Sequence, residues 1–188
     1  MLGLSDSADF LGLARNVGDY VASLAERVDE GHRWRTISYD GAPEYSVEVF
    51  SGVSGIILFL ADLYAVTGDH GYRVMAEGGA RWVDCHARAD DGGMGRSRGL
   101  YVGLSGHGTA FLHLARATGD RQWLALAAER ADALQDSSYG TQEMMFGAAG
   151  IGLFLLKIHV DTGERRHLEE AVRAGEYLLD RAETVEGG

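Results

Sequence analysis

The side chains best suited to chemistry in this sequence are few and spread out. Glu48 and Glu143 each stand four residues before the first glycine of a Gly-x-x-Gly tetrad, Gly52–Gly55 and Gly147–Gly150. A carboxylate set among apolar residues can have its pKa raised and exchange protons near neutrality. The competing reading is a solvated loop carboxylate or a helix cap. Before the remaining tetrad, Gly103–Gly106, the same place holds Gly99, which can do no such chemistry. His107 follows Gly106 at a helix start, where it either points into a cavity or packs locally. Cys85-His86 joins the chain's single thiol to an imidazole. Structural zinc takes four protein donors and catalytic zinc three. With no second cysteine, the pair reads as a thiol packed near a helix end, and no metal ligand is assigned.

Other polar groups read as structural. Asp90-Asp91-Gly-Gly-Met-Gly95 suggests a calcium loop but lacks the alternating oxygen ligands and the closing glutamate. It reads as a turn, with Arg96 and Arg98 as its solvated basic flank. His32, His70 and His167 read as loop or surface residues, and His113 and His159 as packing residues. Trp34, Tyr39 and Tyr45 either line a peptide groove or anchor the core. No dinucleotide, Walker, Gly-x-Ser-x-Gly or His-Glu-x-x-His motif is present.

The elements that must position these groups form a repeat. Gly52-Val-Ser-Gly55, Gly103-Leu-Ser-Gly106 and Gly147-Ala-Ala-Gly150 are each followed, twelve residues after the second glycine, by Thr67-Gly-Asp69, Thr118-Gly-Asp120 and Thr162-Gly-Glu164. The offsets are 51 and 44 residues, and the match continues through Ala76, Ala127 and Ala171. The stretch after each tetrad is apolar nearly all round, as in Ile56–Leu60, which predicts a helix buried on every side. Thr-Gly-Asp then supplies a left-handed stop and an N-cap for an amphipathic second helix. Each unit is therefore a hairpin of a buried inner helix and a half-exposed outer one. The tetrads read as close-packing sites between inner helices, with positive φ allowed at the first glycine. The alternative is room for a ligand at the inner-helix N-termini. A further amphipathic helix is expected over about Ser7–Glu30.

These residues resemble a known family. Val49–Leu60, Gly99–Gly106 and Met145–Gly152 look like the lanthionine synthetase C-like proteins, over about Tyr45 to Glu183. The resemblance implies an all-α fold, an α/α toroid of the six-hairpin type. About three and a half hairpins are present here: a leading helix and loop over 1–44, then hairpins over 45–89, 90–137 and 138–186, treated as one incomplete domain spanning 1–188. It also implies a zinc-dependent cyclase that adds a cysteine thiol to a dehydrated serine or threonine of a peptide. The family's zinc is held by two cysteines and a histidine in later hairpins. Neither motif occurs here, so zinc is expected only in a complete family member, and the chain is expected to be inactive alone. The family's acidic residue before one early tetrad maps to Glu143, and less directly to Glu48. His107 does not match the register of the family's catalytic histidine. Two other readings are a non-catalytic helical-repeat module for a peptide or partner chain, with self-association among its outcomes, and a carbohydrate-active toroid enzyme using Glu48 and Glu143.

Composition narrows the partners. The chain has 188 residues, 46% hydrophobic and 24% charged, enough for one packed domain. Its 17 basic against 28 acidic residues give a net charge of −11, which disfavours nucleic acid and anionic membrane surfaces. One cysteine and the lack of an apolar leader or long apolar run fit a cytoplasmic protein. Twenty-seven glycines against one proline accord with glycine at fixed repeat positions.

Overall fold

The computed structural model describes residues 9–38, 40–89, 97–135 and 139–182. Among them are seven helices: α1 (Phe10–Ser23), α2 (Val53–Thr67), α3 (His70–Ala89), α4 (Leu104–Thr118), α5 (Arg121–Asp132), α6 (Ala148–Thr162) and α7 (Arg165–Leu179). Helices α2, α4 and α6 follow the three tetrads and pack side by side as the inner layer, α2 on α4 and α4 on α6. Each also packs on its own outer partner, α3, α5 or α7. The result is an arc of an α/α toroid, the hairpins as the repeat predicts and the toroid as the resemblance implies.

The core lies between the layers. Ile57, Leu60 and Leu63 on α2, Phe111, Leu112 and Leu114 on α4, and Ile151, Phe154 and Leu155 on α6 are all buried. Each such side chain stabilises the fold by about 1.5–3 kcal/mol. The outer helices answer with small residues, Ala76, Ala127 and Ala171, so the two layers approach closely.

The Thr-Gly-Asp junctions follow one design. Gly68, Gly119 and Gly163 close the inner helices in the left-handed conformation, at φ 70, 72 and 71°. Each threonine hydroxyl bonds the carbonyl four residues back, as Thr67 to Leu63 at 2.6 Å, and accepts the N–H two residues on, as from Asp69 at 3.2 Å. Asp69 and Asp120 cap the outer helices through the N–H of Gly71 and Gln122. Glu164 makes no side-chain cap. No helix among the described residues is long and apolar enough to cross a membrane.

The leading segment departs from expectation. Helix α1 ends at Ser23, and β1 (Glu26–Val28) and β2 (Gly31–Arg33) form an antiparallel pair instead of further helix. Gly31 turns the chain at φ 141°, and its α-carbon lies against the Gly78 carbonyl of α3 with no room for a side chain. Tertiary packing of the hairpin on α3 thus overrides the amphipathic pattern. A second pair, β3 (Thr36–Ile37) with β4 (Pro43–Glu44), leads into the first tetrad.

Candidate functional site

Three entry loops meet at the N-terminal ends of the inner helices and form the mouth of the arc. Within each loop the chain doubles back on itself. The N–H groups of Val53, Leu104 and Ala148 reach the carbonyls of Ser46, Ser97 and Thr141 at 2.9 Å. These turns explain the tetrads. A Cβ on Gly52, Gly103 or Gly147 would overlap those same three carbonyls, and one on Gly55, Gly106 or Gly150 would overlap the carbonyls of Val49, Leu100 or Met144. The tetrads thus fit each helix to its own entry loop and, at Gly106 and Gly150, to Val49 and Leu100 of the preceding loop, rather than packing inner helices on one another. Of the three first glycines of the tetrads, Gly103 alone has positive φ, at 119°; Gly52 and Gly147 lie at −145 and −115°.

The loops are also laced to one another. Phe50 N–H donates to the Tyr101 carbonyl at 3.0 Å, and Tyr101 N–H donates to the Met145 carbonyl at 3.1 Å. Gly99 has no room for a side chain because the Met145 carbonyl sits against it. The lacing presents Phe50, Tyr101, Met144 and Phe146 to solvent as an apolar rim. None of these four was expected as a site residue. The signal was an aromatic two residues before the glycine in both Phe50 and Tyr101.

Glu48 and His107 come together across the first two units. The Glu48 carboxylate is buried, accepts the Gly103 N–H at 2.5 Å and lies 3.4 Å from His107 Nε2. His107 has no exposed surface, so it packs locally between the units.

Glu143 is placed differently. It is exposed and accepts the Phe146 N–H at 2.8 Å, the Met145 N–H and the Thr141 hydroxyl at 2.9 Å. Slight desolvation raises its pKa, but the Phe146 and Met145 N–H bonds and the Thr141 hydroxyl outweigh that and hold it below the ordinary carboxylate value. The direction is opposite to the raised pKa expected of a proton-exchanging group. Glu143 occupies the Met145 N–H, whose counterparts in Phe50 and Tyr101 reach the next loop. A lowered folded-state pKa contributes stability above the unfolded value that is lost as pH falls. Exchange of the Met145 and Phe146 amides should therefore speed up, relative to the rest of the chain, as pH drops below about 4. Glu143→Gln should remove that dependence, read by hydrogen exchange.

The remaining candidates do not assemble around the mouth. Cys85 is exposed on α3, and His86 Nδ1 lies 2.9 Å from the Trp82 carbonyl with its ring stacked on Trp82. Among the described residues no group of three metal donors occurs. Asp90–Arg96 and Tyr39 lie outside the described residues. Trp34 anchors the core, its indole donating to the Val21 carbonyl at 2.7 Å, while Tyr45 is exposed under the Arg33 guanidinium. His113 bridges α4 to Asp62 of α2 at 2.5 Å instead of packing. His167 is a correction: it was expected at the surface, yet it is fully buried, with Nε2 3.0 Å from Asp132 Oδ1. Its position on the inward stripe of α7, four residues before Ala171, was the missed signal.

Inner and outer helix layers with loops gathered at one end define an α/α toroid protein, and comparison with known proteins narrows the class. The model of the family described as lanthionine synthetase C-like protein matches residues 43–187, so the chain belongs to that family. No curated relative matches the sequence. Among solved structures it is similar to the alpha-1,6-mannanase GH76A of Salegentibacter sp. HEL1_6. An inactive variant with alpha-1,6-mannotetrose matches at 15% identity and a TM-score of 0.67, over 95% of this chain and 53% of that one. Another structure of the same mannanase matches at 15% and 0.65, over 92% and 52%. At that identity the likeness is one of fold. The chain spans about half the length of these structures.

Proposed function

We propose that this chain supplies one half of the wall of a lanthionine synthetase C-like ring and holds the peptide that such a ring cyclises. The chemistry of the class is addition of a cysteine thiol to a dehydrated serine or threonine. The described residues carry the binding part of that task and not thiol activation. The observation that carries the reading is the rim of Phe50, Tyr101, Met144 and Phe146 on loops laced by backbone bonds. A rigid rim loses little conformational freedom when an extended peptide lies across it, and aromatic anchors give the largest contact area per side chain. The single cysteine accords with a reducing, cytoplasmic setting.

The test is anisotropy of a fluorescent peptide containing cysteine and dehydrobutyrine. Phe50→Ala combined with Phe146→Ala is expected to weaken binding about tenfold, or ~1.4 kcal/mol. Both side chains are exposed, so the fold should survive. Binding unchanged by the double substitution would refute the rim. Cyclisation leaves mass unchanged, so it is read by loss of alkylatable thiol. This chain alone is expected to cause none, with or without added zinc, and thiol loss would show that it carries activating groups of its own.

A further inference from the structure

The β1–β2 hairpin is seated on α3 by two residues that meet one glycine. Gly31 lies against the Gly78 carbonyl, and a Cβ on Gly78 would overlap His32 Nδ1. The edge of the imidazole therefore rests on the bare α3 backbone. Its Nδ1 is buried and has no hydrogen-bond partner among the described residues. An imidazole unprotonated at that nitrogen fits the place. A protonated one does not: its new N–H would face Gly78 without an acceptor, and a buried donor left unpaired loses its hydration uncompensated. The charges around the ring act in the same sense. Arg27 of β1 stands opposite His32 in the hairpin register, and Arg81 follows Gly78 by one turn of α3. Burial first, then Arg81 and Arg27, hold the imidazole below the usual histidine value. Glu77, the acid next to Gly78, is paired with Arg73 at 2.8 Å, and Asp29 and Glu30 of the hairpin turn are exposed.

The hairpin also grips the chain just before the mouth. Tyr45 OH donates to the Glu26 carboxylate of β1 at 2.8 Å. Arg33 Nε of β2 donates to the same carboxylate at 3.1 Å, and its guanidinium covers the Tyr45 ring at 3.9 Å. Next in the chain is Ser46, whose carbonyl accepts the Val53 N–H at 2.9 Å and whose hydroxyl accepts the Glu48 N–H at 3.2 Å. Phe50 of the rim is carried by that same loop. Contacts thus run without a break from His32 through Glu26, Arg33 and Tyr45 to the first entry loop.

We propose that the β1–β2 hairpin is an acid-released latch on the first entry loop: neutral His32 seats the hairpin on Gly78, and its protonation unseats the hairpin together with the Glu26–Arg33 grip on Tyr45. The seated imidazole takes up a proton less readily than a free one, so the unseated hairpin binds more protons. Seating is therefore complete above a pH of about 6.5, the free histidine value, and weakens as pH falls below it. No such hairpin precedes the second or third loop among the described residues, so the effect is confined to the first. The latch is read from amide exchange without any peptide, so it stands or falls apart from the peptide reading.

Hydrogen exchange of the full chain, corrected for the intrinsic pH dependence of each amide, is the test. Between pH 7 and pH 5 the protection of the β1–β2 amides and of Val53 is expected to fall by about fivefold or more. Leu104 and Ala148, the matching amides of the other two loops, should keep theirs. His32→Asn retains a neutral polar group where Nδ1 stands and should abolish the fall. If asparagine itself unseats the hairpin, protection is low at both pH values, and NMR titration of His32 in the unchanged chain decides. A value below that of a free histidine supports the latch, and a value at or above it overturns the proposal. Constant protection from pH 7 to pH 5 would also overturn it, as would a fall that persists in His32→Asn or that Leu104 and Ala148 share equally.

Discussion

Gly103→Ala is expected to lower stability by roughly 3 kcal/mol or more, a large share of the ~5–15 kcal/mol that holds a domain together. Two costs combine at this residue. At φ 119° an L side chain is strained by about 1–2 kcal/mol. The new Cβ would also overlap the Ser97 carbonyl and lie 2.7 Å from the Arg98 nitrogen. Both obstacles are backbone, so no rotamer change relieves them. The loop cannot retreat cheaply, because Leu104 N–H holds the Ser97 carbonyl at 2.9 Å and the Ser105 hydroxyl holds the Arg98 carbonyl at 2.5 Å. Gly103 N–H is itself bonded to Glu48, so a shift here also disturbs the joint between the first two units. Gly41→Ala is the control: its φ is 85° with nothing within 4 Å of a Cβ, and it should cost about 1 kcal/mol. Gly52→Ala and Gly147→Ala keep the clash without the positive φ and should fall between. Urea unfolding followed by circular dichroism gives the order. Equal midpoints for Gly103→Ala and Gly41→Ala would refute the clash as the cause.

The same residues show what was legible in the sequence. The hairpin repeat could be read because its determinants are local. A threonine, a glycine and an acid at fixed spacing stop one helix and start the next through bonds within four residues. The apolar inner helices could be read because they carry no polar stripe, although burial on every side does not follow: Val66 on α2 and Leu156 and Val160 on α6 are exposed. The role of the tetrads was hidden because the atom each glycine avoids is a backbone carbonyl six residues upstream, and carbonyls have no sequence signature. The end of α1 at Ser23 is hidden for a similar reason: the contact of Gly31 with Gly78 lies far along the chain. At the site, Glu48 and Glu143 occupy identical repeat positions, yet one is buried between units and the other caps its own loop. The difference comes from the following unit. Glu48 is followed by a loop whose glycine N–H it can reach, whereas Glu143 stands at the trailing end of the arc and turns back on Met145 and Phe146.

Removal of the buried carboxylate should expose that difference. Glu48→Ala is expected to cost about 3 kcal/mol, because it leaves the Gly103 N–H without its acceptor, removes the group facing His107 and opens a void between the first two units. Glu48→Gln keeps an acceptor oxygen for Gly103 and should cost only about 1 kcal/mol. Glu143→Ala, at an exposed loop position, should have a much smaller effect on global unfolding. His107→Leu fills similar space without a polar edge. If the pair acts as a unit, its cost in the Glu48→Ala background should differ from its cost in the parent by about 1 kcal/mol or more. Denaturant midpoints for the four chains of that cycle provide the measurement. Full stability in Glu48→Ala, together with loss of peptide binding, would instead make Glu48 a group that meets the peptide. Its burial and its bond to Gly103 favour the first result, and on that account the carboxylate fixes the angle at which the second loop joins the mouth.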